Sequence, residues 1–330
     1  MRTVTLVARR LAQSLLLLLL VTAATCLLSS MIPGDYFAAH ELDPSIGKEA
    51  VRQLRLVHGL DQPVHIQYSR WLLSLARFEL GTSLFYQAPV DAVLLPAVGR
   101  TLWLALPALL VGVLGGVVTG TWHATRRGRP AGAALDLLST LALSLPSLVL
   151  GLAAVLLASR TGWFPIGSMS DLALAGQSWS GWLVDRLHHL ALPAACLSVP
   201  ILAAIERVQH TSALRTLDEP HVRAAKSRGL SPTRVFLQHV LRPSLNAVIS
   251  TSGPLFGAVL SGSLVLEVIF SWPGLGRITY DALFNRDLFL LLGSVVACSI
   301  LLMAGNLAAD LLLLRLDPRT RARHSGGGTA

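Results

Sequence analysis

Residues 101–121 read TLWLALPALLVGVLGGVVTGT, twenty-one positions without a single charge. A helix needs about 20 apolar residues to cross the roughly 30 Å hydrocarbon core of a bilayer, so this stretch is long enough to span one. Five further runs, read outward from it, meet the same test: Leu11–Ile32, Leu135–Ala158, His189–Ile205, Leu245–Val268 and Leu288–Leu314. The fourth in chain order is the shortest, and its uncharged core, 190–205, contains Pro193 and Pro200. Such a span persists only where neighbouring helices satisfy the carbonyls that proline frees. The expectation is an all-α integral membrane protein with six transmembrane helices.

Composition agrees. Of 330 residues, 53% are hydrophobic and 14% charged, and mean hydropathy is +0.60. A soluble domain carries about 25% charged residues, so a water-facing surface is excluded for most of the chain. The formal net charge is nevertheless +9, and its placement is informative. Arg2, Arg9 and Arg10 precede the first run, and Arg126, Arg127 and Arg129 separate the second and third. Arg207, Arg215, Arg223, Lys226, Arg228, Arg234 and Arg242 separate the fourth and fifth, and Arg315, Arg319, Arg321 and Arg323 follow the sixth. Seventeen of the 27 basic residues thus fall on one side. The other side's short loops hold four, because six more belong to the long segment 33–100, which topology counting discounts. Positive charge marks the cytoplasmic side, so both termini are expected there. Arginines that flank apolar spans are not the basic stripe with interleaved readers that nucleic acid requires, and no nucleic-acid partner is expected.

The N-terminus has the basic start and small residues of a secretory signal, but its apolar run continues past Cys26 to Ile32. That length favours an uncleaved span. Cys26, Cys196 and Cys298 all lie inside predicted spans, away from the external segments where disulfides form. No two histidines stand at i, i+4 beside a glutamate, so neither a metal site nor a cofactor is expected of the chain.

Two connecting segments are long enough for structure of their own. The external segment 33–100 holds seven of the 18 acidic residues (Asp35, Glu41, Asp43, Glu49, Asp61, Glu79, Asp91). It predicts a helix from Glu49 to His58 stopped by Gly59, then an amphipathic run marked by Ile66, Tyr68, Trp71, Leu72, Leu75 and Phe78. Two readings stand: a solvated cap, or a docking surface or vestibule wall. The loop 207–243 contains PHVRAAKSRGLSP at 220–232. Pro220 suits the first turn of a short helix, Gly229 suits a left-handed C-terminal cap, and Ser231-Pro232 opens a second helix through Val240. Ala224 and Ala225 leave a low ridge that another protein can approach, with Arg223, Lys226 and Arg228 at its rim.

Here the chain resembles a known family. Arg223-Ala224-Ala225, three residues, then Gly229 is similar to the cytoplasmic signature of binding-protein-dependent ABC transporter permeases, usually Glu-Ala-Ala, three residues, Gly, and later Ile-x-Leu-Pro. Arg223 replaces the glutamate, His239 the isoleucine, and the proline arrives one residue late at Pro243. Those departures resemble the dipeptide/oligopeptide branch, which includes nickel permeases: Val222-Arg223-Ala224-Ala225 and His239-Val240-Leu241-Arg242 follow its pattern. Gly59-Leu60-Asp61-Gln62-Pro63, Leu80-Gly81-Thr82-Ser83, Glu267-Val268-Ile269-Phe270, Pro273-Gly274-Leu275-Gly276-Arg277, Asn285-Arg286-Asp287 and Leu316-Asp317-Pro318-Arg319 extend the likeness in order along nearly the whole chain.

The resemblance implies a type I ABC importer permease fold in the bacterial cytoplasmic (inner) membrane, paired with a second, different permease. It also implies two cytoplasmic ABC ATPase subunits and an external substrate-binding protein that delivers peptide. Arg223, Ala224, Ala225, Lys226, Arg228 and Gly229 would form the ATPase-coupling loop. The division implied is 1–32 for the N-terminus and first helix, 33–100 for the external segment, and 101–330 for a five-helix core with coupling loop 207–243 and a cytoplasmic tail. Independently, the two lysines, Lys48 and Lys226, stand in Gly-Lys-Glu and Ala-Lys-Ser. Neither is the Gly-Lys-Ser/Thr of a phosphate-binding loop, so the subunit is expected to be no enzyme and any ATP must be hydrolysed elsewhere.

Gly112, Gly116 and Gly120, and Gly253 and Gly257, recur at four-residue spacing, which lets helices approach closely in lipid. Asp136, Glu206, Glu267 and Asp310 lie near the ends of predicted spans and are read as interfacial anchors. The absence of an ionisable group at mid-span weighs against an ion-coupled secondary transporter. An intramembrane hydrolase would rest on Gly262-Ser263 and the histidines near span four. Cargo within the resembling branch, whether peptide, nickel or another small solute, stays open.

Overall fold

The computed structural model describes residues 2–32, 34–38, 48–126, 128–170 and 179–316. Helix α1 (Arg2–Met31) is followed by a single 3-10 turn at Tyr36–Ala38, then α2 (Lys48–His58) and α3 (Val64–Ala76). A short antiparallel ladder pairs β1 (Thr82–Ser83) with β2 (Ala88–Pro89). Next come α4 (Val90–Thr125), α5 (Pro130–Ser144), α6 (Ser147–Thr161), α7 (Trp179–Leu217), α8 (Pro220–Ser227) and the single turn α9 (Pro232–Arg234). A π-helical stretch, Val235–Leu241, carries α9 into α10 (Arg242–Ser250), and α11 (Ser252–Ile269), α12 (Leu275–Phe284) and α13 (Leu288–Leu316) complete the order.

Four of these helices are long and apolar enough to cross a membrane: α1, α4, α7 and α13. The third and fifth predicted spans differ from expectation by being broken. Helices α5 and α6 meet at 101°, and the helices Pro232–Ser250 and Pro254–Ile269 meet at 60°, so the count is six when each bent pair is one span. The first break has a local cause. Leu145, immediately before Pro146, is extended (φ −84°, ψ 121°), because a proline ring crowds a helical conformation in the residue ahead of it. The fourth span differs the other way: α7 runs 39 residues straight through Pro193 and Pro200. It packs against α5, α6, α10 and α11, which supplies the protein surroundings a proline-interrupted span needs. Large apolar side chains line the outside, including Leu15, Leu16, Leu20, Leu27 and Leu28 of α1 and Leu137, Leu138, Leu152 and Leu156 of the α5–α6 pair, all at least half exposed. Apolar surface on this scale suits lipid rather than water.

The chain divides into two compact units, 1–101 with 273–303, and 102–272 with 304–330. In the first, Val90, Leu94 and Ala97 pack on Leu275, Ile278, Ala282 and Leu290. Trp71 of α3 packs among Cys26, Leu292 and Val296, and the Tyr68 hydroxyl donates to Leu19 O at 3.0 Å, so the amphipathic run does bury an apolar face. Phe78 departs from it and is 94% exposed. Helix α3 ends at Ala76 and Phe78 takes a left-handed φ of 62°, which turns its side chain off the helical stripe. In the second unit the core gathers Leu104, Ala108, Leu197, Ile201, Ile205, Val259, Leu266, Phe270 and Trp272. Gly112, Gly116 and Gly120 face α7: a Cβ at Gly116 would stand 2.7 Å from both Ile205 Cβ and Leu202 O, and one at Gly120 would overlap Glu206 O. The row is therefore close backbone packing by van der Waals contact, as expected where lipid removes hydrophobic driving force. Gly253 and Gly257 lie on α11; the surroundings of Gly253 are outside the described residues.

Candidate functional site

Helix α8 begins and ends for local reasons. Glu219 is extended (ψ 147°) and Pro220 occupies the first turn, where its missing N–H costs nothing and its fixed φ favours the helix. At the other end Arg228 N donates to Ala224 O at 3.1 Å and Gly229 N to Lys226 O at 3.0 Å. Gly229 itself has φ +75°, a conformation that glycine adopts without the Cβ clash other residues meet. Ser231 is extended and Pro232 starts the next helix. That helix does not stop at Val240; it continues through the π-helical stretch into α10.

Residues three apart share a helix face, and on α8 those at 222 and 225 face inward. Val222 and Ala225 are buried, 0% and 5% exposed, against Ala124 at the end of α4, Ala213 of α7, and Val235 and Val240 of the π-helical stretch. The structure thus divides the predicted ridge: Ala225 belongs to the seat, whereas Arg223, Ala224, Lys226, Arg228 and Gly229 are exposed. Further polar contacts lock the turn. His221 Nε2 lies 3.1 Å from His239 O, and Arg223 Nη2 donates to Asp218 O at 3.0 Å. The result is a small apolar seat carrying a rigid two-turn helix whose outer face holds three cations around one alanine.

Next to the seat lies a polar cluster that no local motif announces. His123 Nδ1 is 2.7 Å from Glu206 Oε1, and Ser139 Oγ donates to Glu206 Oε2 at 2.8 Å. The His123 and His210 rings stack at 3.7 Å with 8° between planes, and His123 Nε2 is 3.7 Å from Asp136 Oδ2. One turn further, fully buried Gln209 donates from Nε2 to Thr121 Oγ1 and Ser244 Oγ. The anchoring expectation is corrected for Glu206 and Glu267, which are 1% and 0% exposed. Helix α7 extends beyond its apolar run, and Glu206 is enclosed there by His123 of α4 and Ser139 of α5. Asp136 keeps 66% of its side chain exposed, and the side chain of Asp310 lies outside the described residues. Ser263 donates its hydroxyl to Leu260 O at 2.9 Å, one turn back in its own helix, and is paired with no base among the described residues.

In the other unit a buried carboxylate organises the residues that follow the amphipathic run. Asp287, 0% exposed, accepts from Ser83 Oγ at 2.7 Å, Phe85 N at 3.0 Å and Leu290 N at 3.1 Å. Arg55 binds Asp35 through two hydrogen bonds of 2.6 and 2.8 Å. A cavity of about 340 Å³ is lined by Ser29, Ser30, Gln62, Gln67 and Arg286 among others.

Comparison with known proteins gives consistent matches. The family described as binding-protein-dependent transport system inner membrane component matches residues 89–322, and its N-terminal companion matches residues 3–83. The oligopeptide transport system permease protein AppB of Bacillus subtilis is 30% identical over 315 residues, covering 95% of this chain and 98% of AppB. The di/tripeptide transport system permease protein DppB of Pseudomonas aeruginosa is 32% identical over 333 residues, covering 96% and 98%. Among solved structures, a chain of the MetNI methionine ABC transporter in inward-facing form aligns with a TM-score of 0.55 at 15% identity, covering 68% of this chain and 96% of that one. At that identity the likeness is one of fold.

Proposed function

Because the chain belongs to the family of binding-protein-dependent transport system inner membrane components, we propose that it is the membrane-spanning permease subunit of an ATP-driven importer of di- and oligopeptides. The observation that carries this reading is full-length similarity to permeases named for peptide transport, joined to a rigid, cation-rimmed helix seated on the ends of two long helices. In this reading six spans cross the bacterial inner membrane: α1, α4, the bent α5–α6 pair, α7, the bent α10–α11 pair and α13. Both termini and the loop 207–243 face the cytoplasm, and 33–100 faces outward.

The division of labour follows from chemistry. Arg223, Ala224, Lys226, Arg228 and Gly229 form the face that enters a groove on a cytoplasmic ATPase: the alanine permits close approach and the cations meet acidic partners at the rim. Val222 and Ala225 pass the resulting displacement to Ala124 and Ala213, and so to α4 and α7. Close-packed interfaces transmit such shifts because they cannot deform continuously. ATP hydrolysis belongs to the two ATPases, the pathway is completed by a second permease, and a binding protein delivers cargo to the external segment. The test is uptake by vesicles holding the two permeases and the ATPases, with a binding protein outside. Removing part of the segment 41–78 is expected to impair delivery more than assembly; normal uptake by that variant would leave the segment as a solvated cap.

A further inference from the structure

Nothing in coupling by α8 calls for the cluster of His123, Glu206 and His210. One donor atom from each lies within 4.8 Å of the others, and the side chains of His123 and Glu206 are 4% and 1% exposed. Two imidazoles and a carboxylate are a donor set that suits zinc and other borderline divalent cations. We propose that these three residues bind such a cation between α4 and α7, beside the seat of α8.

The geometry assigns each residue a part. Ser139 Oγ holds the far oxygen of Glu206 at 2.8 Å, the kind of supporting hydrogen bond that orients a ligating carboxylate. His123 Nδ1 and Glu206 Oε1, 2.7 Å apart, share a hydrogen bond that an entering ion replaces, and the proton leaves to water as metal binds. His210 is only half-buried, and its ring nitrogens hydrogen-bond no other described residue; stacking on His123 holds it. Parallel rings point their in-plane lone pairs along parallel planes, so one ion is shared only after the His210 ring turns about its Cβ–Cγ bond. No hydrogen bond to a described residue opposes that turn. Asp136, 3.7 Å from His123 Nε2, adds negative charge at the open side.

The position gives the site a consequence. Ala124, next to His123, and Ala213, one turn beyond His210, are both walls of the α8 seat. An ion joining α4 to α7 at this point would stiffen the platform through which α8 acts, and its release would loosen it.

The experiment uses the full-length, metal-free chain in detergent and measures binding alone, so its failure leaves the transport reading standing. Cobalt(II) is titrated and followed by visible absorption, and zinc by competition with a chromogenic chelator. The expected result is one equivalent bound through nitrogen and oxygen donors. His210→Ala, at a partly buried site, should lose tight binding, and Ser139→Ala should weaken it by roughly tenfold or more. Near-ultraviolet circular dichroism shows whether each variant keeps native packing. Absence of stoichiometric binding, equal binding by His210→Ala, or a thiolate charge-transfer band from a cysteine site would each overturn the proposal.

Discussion

Ser83 and Asp287 are joined by a 2.7 Å hydrogen bond across 204 residues of sequence, and Asp287 is wholly buried. The same carboxylate caps α13 through Leu290 N and holds the β1–β2 turn through Phe85 N, so three donors depend on one side chain. Asp287→Ala would strand all three, and a buried donor without a partner costs about 1–3 kcal/mol. The expected outcome is a loss of stability of several kcal/mol, read as a lowered midpoint of thermal unfolding in detergent. Ser83→Ala removes one of the three donors to Asp287 and takes from Tyr86 N its acceptor at 3.0 Å, and should cost less, about 1–2 kcal/mol. Equal effects from the two would show that the carboxylate is not the organising group.

The glycine row of α4 makes a graded prediction. At Gly116 a Cβ meets Ile205 Cβ and Leu202 O at 2.7 Å, whereas at Gly99 nothing lies within 4 Å. Gly116→Leu should therefore force α4 from α7 and lower yield and melting temperature together. Gly99→Ala should raise stability by roughly 0.5–1 kcal/mol, the helix-propensity difference between the residues. Thermal unfolding of the two variants beside the parent decides it.

What was legible in the sequence, and what was not, follows from how local each signal is. A charge-free run such as 101–121 shows itself in one window, and so do Pro220 and Gly229, whose backbone effects act within a turn. The 101° bend at Leu145–Pro146 sits inside an apolar run whose composition is the same on both sides, so hydropathy passes over it. Ala225 facing inward depends on Ala124 and Ala213, and alanine carries no pattern to place it. The pairing of His123 with Glu206 spans 83 residues; neither residue stands in a motif, and only the packing of α4 on α7 brings them together.

Tyr86 gives an alkaline signature. Its hydroxyl donates to Asp281 at 3.0 Å, and burial, reinforced by that carboxylate, pushes its pKa up to about 12. A phenol with a raised folded-state pKa favours the folded state fully below the unfolded value, near 10, and that contribution is lost as pH rises through about 12. Ultraviolet titration should show the parent with one more late-ionising tyrosine than Tyr86→Phe. The variant should also lose the extra drop in stability between those two pH values.

The two faces of α8 make the sharpest prediction, because they separate docking from transmission. Lys226 and Arg228 are exposed while Ala225 is buried on the seat. Reversing both cations, Lys226→Glu with Arg228→Glu, removes charge from the docking rim and leaves the packing of α8 unchanged. This variant should insert normally and fail to co-purify with its ATPases, the loss growing milder at high salt as screening weakens the repulsion. Ala225→Glu forces a carboxylate against Ala124 and Ala213, and Gly229→Pro demands a negative φ where the chain has +75°. Both should unseat or distort α8, so that ATP is hydrolysed without uptake or the ATPases are released. The measurement is paired: co-purified ATPase per permease, and peptide taken up per ATP hydrolysed. Full coupling in all three variants would remove α8 from the pathway between ATPase and membrane. Failure of the seat variants alone would move the docking surface away from Lys226 and Arg228.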